Sequence, residues 1–283
     1  MNRTSRTSIL CPNCRRLVSA DEARCPHCGE RRPGSRLKNN FLTRHLAESD
    51  RLVRTIIIAN VAMFCLSLFL NSRMPGLSMN PFHVLSPENR SLLLLGATGT
   101  IPIDRFGRLW TLISAVYLHG GLLHIAFNML ALSQLAPVVI REFGGYRAFS
   151  IYTLGGVAGY WISYRAGVTF TIGASGAVCA MIGALLYYGL SRGGLYGQAL
   201  FKQIGAWAVG ILLFGFMVPG INNWAHGGGV LAGAALGFFL GYRERRKEGR
   251  LHRILGHGCA GLTLVILSYA AASGIYDRLQ IGG

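Results

Sequence analysis

Two short stretches carry residues able to do acyl-transfer chemistry: Gly173-Ala174-Ser175-Gly176-Ala177, and Asn222-Asn223-Trp224-Ala225-His226-Gly227-Gly228-Gly229. Small neighbours leave the Ser175 hydroxyl open to a second helix, and His226 is the polar residue best placed to meet it. A serine does not attack a carbonyl at neutral pH without a base, and neutral histidine within hydrogen-bond reach is a suitable one. Ser175 therefore reads as a nucleophile and His226 as its base. His124 and Asn128 stand four residues apart and share one helix face. With the backbone N–H of Ser175 they are the donors available to a developing oxyanion.

Those residues must be positioned by elements inside a membrane. Apolar residues make up 51% of the 283 and charged residues only 14%, against roughly 25% charged in a soluble domain. The apolar residues fall in blocks of roughly 17–22, the length that crosses about 30 Å of hydrocarbon. Seven spans are predicted, at about 55–72, 120–140, 148–168, 172–190, 203–219, 224–242 and 254–273. Residues 73–119 form a long first loop with a short interfacial Ser91–Leu95 run. Gly229, Gly233 and Gly237 recur every four residues, a face that admits close approach of another helix. The slender surface of Gly173, Ala174, Gly176, Ala177 and Ala180 matches it.

The formal charge is +17, from 28 Lys and Arg against 11 Asp and Glu. Much of this excess lies in the N-terminal tail and between the last two spans, where the positive-inside rule accounts for it. No aromatic-basic interleaving accompanies it, so no nucleic-acid partner is expected. Alternate connections carry Arg141 and Arg147, then Arg192 and Lys202, then Arg243, Arg245, Arg246, Lys247, Arg250 and Arg253. This predicts a cytoplasmic N-terminus and an outside C-terminus. Ser175, His226, His124 and Asn128 then lie at similar depth near the outer face.

The acidic residues are all expected in tails or loops, which removes an aspartyl intramembrane protease and disfavours a proton-coupled transporter. No His-Glu-x-x-His is present, which removes a zinc protease. His45, His83, His252 and His257 are expected to be solvated in loops or at interfaces. Cys65, Cys179 and Cys259 read as small buried apolar residues.

Cys11-Pro12-Asn13-Cys14 and Cys25-Pro26-His27-Cys28 are two Cys-x-x-Cys knuckles. Two such knuckles complete a closed tetrahedral Zn–S4 site, the pattern of a minimal zinc ribbon with a structural Zn2+. His27 is read as solvated. The expected domains are 1–32, the ribbon-like module; 33–54, a basic linker; 55–242, the catalytic core; and 243–283, a basic loop with the seventh helix.

Gly173-Ala174-Ser175-Gly176, Asn223-Trp224-Ala225-His226 with its following glycines, and His119-Gly120-Gly121-Leu122-Leu123-His124-Ile125-Ala126-Phe127-Asn128 together resemble the rhomboid family of intramembrane serine proteases, in that family's order. The resemblance implies an all-α polytopic fold: a six-helix core opening outward, here with one added C-terminal helix. It implies Ser175 as nucleophile, His226 as general base, and His124 and Asn128 at the oxyanion hole, with His119, Gly173 and Asn223 lining the active-site cavity. No cofactor is implied for catalysis. The implied substrates are transmembrane proteins in the lipid bilayer, and the expected location is the plasma membrane of a prokaryote. The ribbon is given a structural or docking role, its partner a cytosolic protein.

Two positions depart from the family pattern. Trp110 is followed by Thr111 where many members have arginine, and Cys179 stands four residues after Ser175 where an aromatic ring often stacks on the histidine. A non-catalytic binder of transmembrane segments is the competing reading.

Overall fold

The computed structural model describes residues 8–12, 16–35, 49–72 and 84–281. At the N-terminus, β1 (Ser8–Leu10) pairs antiparallel with β2 (Leu17–Ser19), Ile9 facing Val18. The Cys11 N–H donates to the Arg16 carbonyl at 2.9 Å, and the Cys25 N–H to the Glu30 carbonyl at 2.8 Å. The small core here is Cys11, Val18 and Cys25.

All else of regular structure among the described residues is helical. The long helices are α1 (Ser49–Phe69), α4 (Leu122–Phe143), α5 (Gly145–Arg165), α6 (Ser175–Arg192), α7 (Gly194–Met217), α8 (Asn223–Leu240) and α9 (Arg250–Ile281). Short helices α2 (Asn89–Leu94) and α3 (Thr111–Ser114) lie in the first loop. On length and composition alone, α1, α4, α7 and α9 can cross a membrane. Helices α5, α6 and α8 are rich in Gly and Ala, which lets them pack closely on one another.

Helix α6 lies at the centre and packs most extensively against α8, then α5 and α7. Lipid tails offer no hydrophobic drive between helices, so packing must supply it. A side chain at Gly233 would run into the Ala180 carbonyl, and one at Gly183 into that of Val230. A Cβ at Gly159 would stand 2.6 Å from the Ala225 carbonyl oxygen. Glycine at these positions is what lets α5, α6 and α8 touch backbone to backbone.

The loop ends opposite Ser175 form one polar layer. Tyr196 donates to Glu142 at 2.8 Å, and Arg192 pairs with Glu244 at 3.0 Å. Buried Arg147 donates to the carbonyls of Arg246 and Lys247 at 2.7 and 3.2 Å.

Several expectations are corrected. The 33–54 linker is helical from Ser49 onward, because Leu52, Val53 and Ile56 are buried and extend the apolar face of α1 backwards. Asp50, Glu142 and Asp277 lie in helices rather than loops. His252 is buried, not solvated: its Nδ1 accepts from the Gly249 N–H at 3.0 Å and its Nε2 lies 3.2 Å from the Leu240 carbonyl. Cys65 is exposed on the outside of α1. His45 and His83 lie outside the described residues.

Candidate active site

Ser175 is the first residue of α6 and His226 the fourth of α8. The two helix starts meet through small residues. A Cβ on Gly176 would be 3.5 Å from the Ala225 carbonyl oxygen, and one on Gly229 would strike the Gly176 carbonyl. The neighbours of Ser175 and His226 are thus in backbone contact. His226 is 8% exposed and Ser175 partly exposed, as a buried base and an approachable nucleophile require.

The start of α8 is set by Asn222. Its Oδ1 accepts from the Ala225 N–H at 3.0 Å, an N-cap. Its Nδ2 donates to Ser163 Oγ at 2.6 Å and Thr171 Oγ1 at 3.0 Å, fastening α8 to α5 and to the segment before Ser175. Cys179 packs beneath: a Cβ on Gly229 would lie 3.2 Å from its own. The His226 Nδ1 is buried with no hydrogen-bond partner among the described residues, so no carboxylate orients this ring.

Gly173 approaches Ser175 in a backbone conformation, φ +123°, that side chains disfavour. A Cβ there would be 2.7 Å from His124 Nε2 and 3.8 Å from Ser175 Oγ, so His124 and Ser175 flank this glycine. The Gly120 N–H donates to His124 Nδ1 at 3.2 Å. In the neutral ring the proton is thereby assigned to Nε2, the nitrogen nearest Gly173. Asn128 spends one amide hydrogen on the His124 carbonyl, at 2.9 Å, and keeps the other. His119 packs edge-on to His124, ring centroids 5.1 Å apart, with both its ring nitrogens buried and unpartnered among the described residues. Burial, then the neighbouring His124, holds the His119 imidazole well below its ordinary range. Asn223 stands at the first position of α8 with its side chain packed on Gly215.

Tyr160 escaped the sequence reading. Its hydroxyl donates to the Gly173 carbonyl at 2.6 Å, while the Gly173 N–H donates to the Ala115 carbonyl at 2.9 Å. The residue before Ala174 is therefore held from both sides. Its partners are backbone atoms distant in sequence, which leave no motif.

Thr111 is buried and bonds Thr98 Oγ1 at 3.0 Å and the Arg108 carbonyl at 2.6 Å. Arg108 supplies the loop's guanidinium instead, donating to the Leu93 carbonyl at 3.2 Å and lying 5.3 Å over the Phe106 ring.

At the other end of the chain, the sulfur atoms of Cys11, Cys25 and Cys28 lie within 4.8 Å of one another. Cys11 Sγ and Cys28 Sγ are 3.7 Å apart. The edge of a tetrahedron with metal–sulfur bonds of about 2.3 Å is about 3.8 Å, so the donor set fits zinc. Cys14, the expected fourth ligand, lies outside the described residues. His27 is exposed beside Arg16.

Residues 107–243 match the family model described as the Rhomboid domain. The chain is 31% identical over 225 residues to RHOMBOID-like protein 1 of Arabidopsis thaliana, covering 70% of this chain and 57% of that one. It is 31% identical over 210 residues to RHOMBOID-like protein 5 of the same plant, covering 67% of each chain. It is 35% identical over 156 residues to Rhomboid protease GluP of Bacillus subtilis (strain 168), covering 54% of this chain and 31% of that relative. The match takes in the starts of α4, α6 and α8, and with it the helical membrane fold is accounted for: the chain belongs to the rhomboid family.

Proposed function

We propose that this protein is an intramembrane serine endopeptidase that cuts peptide bonds in or next to the transmembrane helices of membrane-protein substrates through a Ser175–His226 dyad. One observation carries the reading: Ser175 and His226 lie at the starts of two helices that touch through Gly176, Ala225 and Gly229. His226 takes the hydroxyl proton as Ser175 Oγ bonds to the scissile carbonyl carbon. The oxyanion that forms draws on His124 Nε2–H, the free Asn128 amide hydrogen and the Ser175 N–H. Collapse breaks the C–N bond, and His226 returns its proton to the leaving amine. Water then attacks the acyl-enzyme with the same base, releasing the new carboxyl end and restoring Ser175. A substrate helix must unwind locally first, because its peptide bonds are shielded and internally hydrogen-bonded.

The cationic loop ends that gather opposite Ser175 support a cytoplasmic N-terminus and an active site opening to the outer face. The plasma membrane of a prokaryote fits that polarity. Zn2+, when bound by Cys11, Cys14, Cys25 and Cys28, would hold the ribbon folded, and the residues of the cut need no metal.

The test is cleavage of a model transmembrane substrate by purified protein. Ser175→Ala and His226→Ala should each lower turnover by roughly 10³-fold or more. Cleavage that survives Ser175→Ala overturns the reading. A folded wild type that neither cleaves nor labels at Ser175 with a fluorophosphonate would instead be a binder.

A further inference from the structure

The ribbon and the seventh helix lie at opposite ends of the sequence and meet at an ion pair. Arg253 Nη2 and Glu30 Oε2 are 2.8 Å apart, with side chains only 21% and 12% exposed. Around this pair the two surfaces stand apart over a cleft of about 840 Å³, which Cys28 also lines. Glu30 closes the second knuckle, since its carbonyl accepts from the Cys25 N–H. The position of its carboxylate is thus tied to the fold of the cysteine turns. With a core of Cys11, Val18 and Cys25, that fold is too small to hold without a metal.

From Arg253, α9 runs to the other side of the protein. Arg278, 25 residues on, is about 37 Å away at 1.5 Å per residue, and donates to the Asn71 carbonyl at 3.3 Å. Between them Tyr269 packs edge-on against Trp110, centroids 5.3 Å apart. Trp110 immediately precedes α3, and the next turn ends in Ala115, whose carbonyl holds the Gly173 N–H. A continuous chain of contacts therefore joins the cysteine cluster to the backbone beside Ser175.

We propose that the ribbon is a metal-dependent latch on the base of α9. Metal-loaded, it docks through Glu30 onto Arg253, and α9 through Tyr269 and Trp110 keeps the 109–118 segment in the position the dyad uses. Loss of the metal unfolds the knuckles, releases α9 and loosens that segment. The effect on proteolysis rests on the function proposed above; the docking and its transmission do not.

Hydrogen exchange on the full-length protein in detergent, zinc-loaded against treated with a zinc chelator, tests this without relying on activity. Chelation should raise exchange at 250–257 and at 109–118, and lower substrate cleavage by roughly threefold to tenfold. Glu30→Arg should reproduce both changes with zinc present, and the Glu30→Arg, Arg253→Glu exchange should reverse them. Tyr269→Ala should leave 250–257 protected and remove the response at 109–118. Chelation that frees 250–257 but leaves 109–118 unchanged overturns the proposal, as does a Glu30→Arg protein that exchanges like wild type. A wild type that cleaves nothing under any condition defeats the protease reading while the exchange data still decide the latch.

Discussion

The Tyr160 hydroxyl donates to the Gly173 carbonyl at 2.6 Å, two residues before Ser175. With the Ala115 carbonyl on the Gly173 N–H, it fixes the peptide on which the His124 ring rests. Tyr160→Phe keeps the ring and removes this one bond. The expected loss is about 1 kcal/mol, read as a roughly fivefold fall in Ser175 labelling rate with little change in Tm. An unchanged rate would mean Gly173 is held well enough by Ala115 alone.

Gly173→Ala tests the glycine itself. A methyl group would stand 2.7 Å from His124 Nε2 in a backbone conformation that alanine disfavours. The His124 ring must move, taking its N–H from the proposed oxyanion site. Turnover should fall by roughly 10²-fold or more if that donor is lost, with KM changing less than kcat. An effect confined to KM would place Gly173 in substrate binding only.

The α6–α8 seam predicts a contrast between neighbouring glycines. A side chain at Gly233 meets the Ala180 carbonyl, whereas one at Gly227 meets nothing within 4 Å. Gly233→Leu should therefore cost about 1–3 kcal/mol or more and separate the helices that carry Ser175 and His226, lowering Tm and labelling together. Gly227→Ala, next to His226, should stay within about 0.5 kcal/mol of wild type. Equal effects of the two would contradict the packing described.

This seam was legible in the sequence because helix packing in membranes writes itself as spaced small residues: Gly229, Gly233 and Gly237 lie on one face whatever that face meets. The seven long helices were legible for a similar reason, although α1, α7 and α9 extend past their apolar cores by turns whose burial depends on neighbours. What was not legible rests on backbone partners. His252 is buried because a Gly249 N–H and a Leu240 carbonyl await it. Arg108 takes up the loop role through the Leu93 carbonyl, and carbonyls carry no residue identity.

Restoring the family's arginine should therefore fail. Thr111 is fully buried and hydrogen-bonded to Thr98, with Arg108 already on the loop. Thr111→Arg would bury a guanidinium in a filled site, at a cost of several kcal/mol unless the loop opens. Tm should drop; a rise would show that this loop can accept the usual arrangement.

Glu248, in the loop between α8 and α9, gives a pH dependence with a definite sign. Its carboxylate fills the space a side chain on Gly144 would need, and Oε1 accepts the Arg147 N–H at 3.1 Å. Burial raises its pKa above the ordinary glutamate value, partly opposed by that N–H and by the charges of Arg147 and Arg243. Between its unfolded and folded pKa values the folded protein binds more protons than the unfolded chain. The stabilisation is thus fully present below the unfolded value, about 4.3, and is lost as pH rises through the folded one. Glu248→Gln keeps an oxygen for the Arg147 N–H and cannot ionise. The Tm of wild type should therefore fall relative to Glu248→Gln as pH rises through this window, and the gap should level off above it. Parallel Tm curves across that range would show that Glu248 keeps an ordinary pKa in the folded protein.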